Sequence, residues 1–148
     1  MTVELQLLRT RHPPELFLQQ LVELFNSAGV DINLEEIHLR IDNLPREDRL
    51  ILAVDGENLY GYAHLRIAHD LVAAETAVVV SVLVREDQRR QGIGSRLLSA
   101  AETWARQSGR SRLLLRTDVI RTDAHAFFVA QGYGESSTKL EFIRNLSD

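Results

Sequence analysis

Gly92 and Gly94 stand where an apolar β-type run gives way to a helical one, with Arg89 and Arg90 just before them. The first amides of a helix have no partner within it, and its aligned peptide dipoles place about half a positive charge at that end. Glycine lacks a Cβ, so backbone amides there can approach an anion closely, and two arginines add charge-assisted donors at the same spot. A phosphate group suits such a cradle, a diphosphate above all. Spacing alone leaves an ordinary strand-to-helix turn with solvated arginines equally open. Two other phosphate loops are excluded. A dinucleotide fingerprint needs a third glycine where Leu97 stands, and a Walker loop needs a lysine where Ser95 follows Gly94.

The elements that must position this loop are legible on either side of it. Ala77 to Val84 is β-branched and apolar apart from Ser81, as for a strand covered on both faces. After the loop, Ile93, Leu97, Leu98, Ala101, Trp104 and Ala105 fall on one helical face, Arg96, Glu102 and Arg106 on the other, and Gly109 ends the helix after about Ser108. Upstream, Val3 to Leu8 predicts a first strand closed by Pro13 and Pro14, and Leu16 to Phe25 a helix from Glu15 stopped by Gly29. Asn33 caps a second helix, with Glu36 three residues on. Leu50–Val54 and Leu59–Ala68 form a hairpin about Asp55-Gly56-Glu57-Asn58. Downstream, Leu113-Leu114-Leu115 starts another buried strand, Asp123–Ala130 is a short helix stopped by Gly132, and Lys139–Leu146 alternates as a final strand. Strand, helix, strand in that order implies a right-handed βαβ crossover within a mixed sheet.

Composition bounds the function. The 148 residues fit one domain, and 45% hydrophobic content supports a core. A net charge of −4 supplies no field for attracting nucleic acid or acidic lipid. The absence of cysteine excludes a disulfide framework, a thiolate zinc site and a cysteine nucleophile. No apolar run approaches the ~20 residues of a membrane span, and Met1-Thr2-Val3-Glu4-Leu5 lacks the pattern of a signal peptide, so a cytoplasmic protein is expected.

With these residues in place, a family resemblance emerges. Val82-Leu83-Val84 followed by Arg89-Arg90-Gln91-Gly92-Ile93-Gly94-Ser95-Arg96-Leu97-Leu98 resembles the acetyl-CoA-binding motif of the GCN5-related N-acetyltransferases, Arg/Gln-x-x-Gly-x-Gly/Ala after a strand. Ala124-His125-Ala126-Phe127-Phe128 with Gly132-Tyr133 is similar to that family's Ala-x-x-Phe-Tyr-x-x-x-Gly-Phe segment. The resemblance implies one acetyltransferase domain over residues 1–148 and an α/β (α+β) fold. Its sheet would be mixed and mostly antiparallel, with helices on both faces, splayed at the central parallel strands where the strand ending at Val84 parts from the one starting near Arg112. Acetyl-CoA would be the co-substrate, with pantetheine along Leu83 and Val84, its diphosphate on the amides of Arg89, Arg90, Gln91, Gly92, Ile93, Gly94 and Ser95, and Phe128 beside it. A primary amine of a small molecule or peptide would attack the thioester directly, forming an oxyanion near the Val84 amide, with no metal and no covalent enzyme intermediate. Neither nucleic acid nor membrane is an expected partner; a homodimer stays open.

The chain departs from the family pattern at two positions. Phe128 lacks the tyrosine hydroxyl that would protonate the leaving thiolate, which slows rather than forbids the reaction, since thiols ionise near pH ~8.5. Arg121 stands where many relatives carry asparagine. For the proton the amine must lose, Glu75 and Asp118 are the carboxylates that could border the cleft and act through water, although each reads first as a solvated loop residue. His125 is read as packing or capping; His64 shares a strand face with Tyr62, and His69 follows that strand. These departures motivate a rival reading, a catalytically weak CoA-binding sensor or interaction module. The acceptor is not legible: its walls would come from the helices within residues 26–43 and from the final hairpin, where no pattern stands out.

Overall fold

Gly56, with φ 60°, and Glu57 make the two-residue turn that joins β2 (Arg49–Asp55) to β3 (Asn58–Ala68), and Asp55 pairs with Asn58 at its base. The computed structural model describes residues 4–116 and 122–147, which fall into two compact units, Met1–Arg116 and Thr117–Asp148. In the first unit a five-stranded sheet runs β1 (Gln6–Thr10), β2, β3, β4 (Thr76–Val84), β5 (Leu113–Leu115). All neighbours are antiparallel except β4 and β5, the parallel pair at one end of the described sheet. The strand expected over Val3–Leu8 begins outside the described residues; within them β1 runs on to Thr10, because it pairs with β2 from Gln6 opposite Val54 to Thr10 opposite Leu50.

Helices cover both faces. On one, α1 (Glu15–Ser27) brings Phe17, Leu18 and Leu21 against Leu50, Leu52 and Val54 of β2, and α2 (Leu34–Asp42) adds Ile37. α2 begins where Asn33 accepts a hydrogen bond from the Glu36 amide at 2.8 Å, the expected cap. On the other face lies α3 (Ile93–Gln107), in contact with β2, β3 and β4 through its buried Ile93, Leu97, Leu98, Ala101, Trp104 and Ala105, the stripe read from the sequence. Full burial of each large aliphatic side chain contributes roughly 1.5–3 kcal/mol, so α3 is held firmly to the sheet along its length.

The second unit contains α4 (Thr122–Ala130), closed by Gly132 at φ 94° and a Tyr133 amide donating to Phe128 O at 3.0 Å. The strand expected over Lys139–Leu146 is absent: residues 133–147 form neither helix nor strand. Alternation prepares a segment to pair, but a strand forms only against a ladder partner, and these residues have none in the described chain.

Candidate functional site

β4 changes character halfway along. Ala77, Val78 and Val79 are buried and laddered on both sides, to Ile67, Arg66 and Leu65 of β3 and to Leu113, Leu114 and Leu115 of β5. Beyond them, β3 skips from Leu65 opposite Val79 to His64 opposite Ser81, leaving Val80 as a bulge that is 41% exposed. Ser81 to Val84 are half-buried, so the strand is covered on both faces only over its first half, a correction to the sequence reading. From Val80 on, the edge of β4 away from β3 has no ladder partner among the described residues. The Arg85 amide donates to Tyr60 O at 2.8 Å, so strand alternation turns the amides of Val82 and Val84 toward that unpaired edge.

This half is braced from beneath by a missing side chain. A Cβ on Gly61 would lie 2.8 Å from Leu83 O and 3.3 Å from a methyl of Leu97. Only glycine lets α3 and the end of β4 close over β3 at this point. Strand edge and helix therefore share one rigid seat.

The connection from β4 to α3 is a single 3-10 turn (Glu86–Gln88) and the loop Arg89-Arg90-Gln91. Arg85 is fixed at its start by Asp87, at 2.7 Å, and by its stacking over the Tyr60 ring. Arg90 has φ 66° and Gly92 φ 78°, so the chain enters the left-handed region twice within three residues, a conformation that points successive amides into a concave, anion-accepting nest. Gly92 is the N-cap and no side chain caps the helix; the first intrahelical bond runs from the Arg96 amide to Gly92 O at 3.0 Å, so the amides of Ile93, Gly94 and Ser95 precede it. A Cβ on Gly92 would meet nothing within 4 Å, which leaves the cradle open. Arg89, Arg90 and Gln91 are exposed around it. The donor set fits a diphosphate.

One strand inward, a polar network crosses the same sheet face as α1 and α2. Asp48, 2% exposed, receives the Arg66 guanidinium at 3.0 and 3.1 Å and lies 2.7 Å from His64 Nε2. A carboxylate this deep needs such partners, because an unpaired buried charge costs several kcal/mol. The Tyr62 hydroxyl is hydrogen-bonded to Ser81 Oγ, and its ring packs edge-on against Phe25 at 5.0 Å. Burial pushes the Tyr62 hydroxyl up to about 12, with the Ser81 hydrogen bond acting weakly the other way. Sequence reasoning left this network unassembled, although two signals were present: Tyr62, His64 and Arg66 at alternate positions of one strand, and Ser81 alone among apolar neighbours.

The structure separates the sequence-derived candidates. Leu83, Val84 and Arg89 to Ser95 are brought together at the open end of β4. Glu75 is not with them. It precedes the other end of the strand, bonded by Arg110 just after α3 and by His69 Nδ1 at 3.1 Å, and His69 Nε2 reaches Glu47 at 2.9 Å. The Glu47 hydrogen bond is the main cause holding His69 above its ordinary range, with Glu75 adding to it. Asp118 and Arg121 lie outside the described residues. Phe128 and His125 are on α4 in the second unit, where the Phe128 ring packs 5.7 Å from Phe127 and 6.5 Å from Tyr133. Among the described residues no group of three His, Asp or Glu is placed to hold a metal ion, and no helix is long and apolar enough to cross a membrane.

Comparison with known proteins bears on the same residues. Residues 15–133 match the model of the acetyltransferase (GNAT) family. An aminoglycoside N(6')-acetyltransferase type 1 of Stenotrophomonas maltophilia is 30% identical over 76% of this chain and 75% of its own length. An aminoalkylphosphonate N-acetyltransferase of Salmonella typhimurium is 41% identical over 39% of this chain and 38% of its own. The fold superimposes with a TM-score of 0.82 on an aminoglycoside acetyltransferase, AAC(6')-Iy, solved with a bisubstrate analogue of CoA and acetylneamine, at 14% identity over 96% of this chain and 99% of that one.

Proposed function

This chain belongs to the acetyltransferase (GNAT) family of acetyl-CoA-dependent N-acetyltransferases, and we propose that its acceptor is a primary amine carried by a small polar molecule. The observation that carries the reading is the continuity of the open half of β4 with the uncapped, glycine-started helix α3. An extended pantetheine arm can satisfy the outward amides of Val82 and Val84 as an added strand would, alongside Leu83. The diphosphate then falls to Arg89, Arg90, Gln91, Gly92, Ile93, Gly94 and Ser95, where the helix end and two guanidinium groups supply opposite charge. An amine nitrogen attacks the thioester carbonyl, an outward strand amide stabilises the oxyanion, and the C–S bond breaks to release CoA. Phe128 donates no proton in this scheme.

Small polar amines are favoured over peptides because the named relatives of Stenotrophomonas and Salmonella act on an aminoglycoside and an aminoalkylphosphonate. The test is CoA titration followed by acetyl-CoA turnover with aminoglycosides, aminoalkylphosphonates and lysine peptides. Turnover confined to the first two classes is expected. Tight CoA binding without turnover on any amine would replace this reading by that of a CoA-binding sensor or interaction module.

A further inference from the structure

An alkylammonium, with an ordinary pKa near ~10, must shed a proton before its nitrogen can attack, and the open half of β4 contains no carboxylate. Glu75 precedes the bulge at Val80 by five residues, roughly 16 Å of extended strand, and its carboxylate is bonded by Arg110 and His69. His64 is placed differently. It stands directly opposite Ser81, the first residue past the bulge, and side chains so paired have Cβ atoms about 4.5–5.5 Å apart on one face. Ser81 lies one residue past Val80, where the edge of β4 without a ladder partner among the described residues begins.

We propose that His64, oriented by Asp48, is the group that accepts the proton of the substrate ammonium, an inference that rests on the acetyl-transfer reading above. Asp48 is a positioning residue. Its Oδ2 accepts from His64 Nε2, which leaves Nδ1 as the acceptor nitrogen, and the Arg66 guanidinium donates to the same Oδ2 and also to Oδ1, fixing the carboxylate. Few other polar groups face the imidazole: β4 contributes the Ser81 hydroxyl, β3 adds Tyr62 and Arg66, and β2 presents Leu50. The step balances. One ammonium proton passes to His64 Nδ1 and on to solvent, and the freed lone pair forms the C–N bond. The second proton leaves the tetrahedral nitrogen as the C–S bond breaks and ends on the CoA sulfur. An amide, CoA thiol and one released proton result.

The experiment compares wild type, His64→Gln and Glu75→Gln by the pH dependence of kcat/KM at saturating acetyl-CoA, with thermal melts and CoA titrations of each. His64→Gln should keep its CoA affinity, lose 10²–10⁴-fold in kcat/KM near neutrality, and recover toward alkaline pH as the substrate ammonium loses its proton to solvent unaided. An active wild type with His64→Gln within threefold of it, or a limb removed by Glu75→Gln instead, overturns the proposal while leaving the acetyltransferase reading intact. A wild type inert on every amine overturns that reading and this one together. Should His64→Gln fail to fold, nitrogen NMR of the wild-type ring at pH 8 decides: the Nε2–H tautomer is expected, and a proton on Nδ1 overturns the assignment.

Discussion

The two ends of β4 are built to opposite specifications. At the Thr76 end, apolar side chains are fully covered, both edges are paired, and charged groups from three segments close over the start of the strand through Glu75, His69, Glu47 and Arg110. At the Val84 end, one edge has no ladder partner among the described residues, a bulge breaks the register, and the following turn places non-glycine and glycine residues alike in left-handed backbone. One strand thus joins an anchor to a working edge. The lesson is that a strand can leave part of one edge open when its other half is fixed on both sides.

The sharpest way to break this contrast is Gly92→Val. A β-branched residue at φ 78° is strained by about 1–2 kcal/mol, and its side chain enters the open space of the cradle. CoA affinity should fall at least a hundredfold in calorimetric titration while the melt shifts only modestly; unchanged affinity would detach the loop from the cofactor. Next in size is the alkaline limit of the working half. An unfolded Tyr62 ionises near 10 and the folded one near about 12, so the stability this hydroxyl contributes is complete below pH 10 and is lost as pH rises toward 12. The loss should reach about 2–3 kcal/mol in denaturant titrations and be absent in Tyr62→Phe.

Gly61→Ala tests the shared seat of strand and helix. The added methyl would press on Leu83 O, a backbone atom that cannot swing away, at a cost of about 1–3 kcal/mol. Because that carbonyl belongs to the working edge, CoA binding should weaken about tenfold as well; an alanine that lowers the melt without touching affinity would show that edge and core are independent. The smallest effect belongs to the anchored end. His69 should titrate above 6.5 by NMR and fall back toward it in Glu47→Gln. With the raised value, any stability it contributes is present below 6.5 and fades as pH climbs past the folded value. Because the imidazole is solvated, the change in melt should be near the detection limit.

Much of this arrangement could be read from the chain, because the deciding forces are local. Ile93 to Ala105 repeat at helical spacing and bury as a stripe; Asp55-Gly56 specifies its turn; Gly92 sits where only a glycine-tolerant backbone serves. What escaped reading depends on contacts between distant segments. Asp48 reaches His64 across 16 residues of sequence, and nothing near Asp48 announces that it will be buried. The opening of β4 is equally invisible in Ala77–Val84, whose nearly uniform apolar character conceals that, among the described residues, its neighbour β5 accompanies only three residues of it. Lys139–Leu146 errs in the other direction, with the alternation of a strand and no ladder.

Arg90, finally, sets the terms on which the loop could be engineered. Its left-handed backbone is uncomfortable for a side chain, and exchanging it for glycine would relieve that discomfort, a gain of up to about 1 kcal/mol after the extra freedom of the unfolded glycine is deducted. Arg90→Gly would thus give a sturdier protein that has surrendered one guanidinium beside the loop proposed to hold the diphosphate. Selection for thermal resilience alone would drift toward that glycine, whereas under the proposed diphosphate role selection for acetyl transfer would retain the arginine, making this position a place where durability and activity pull apart.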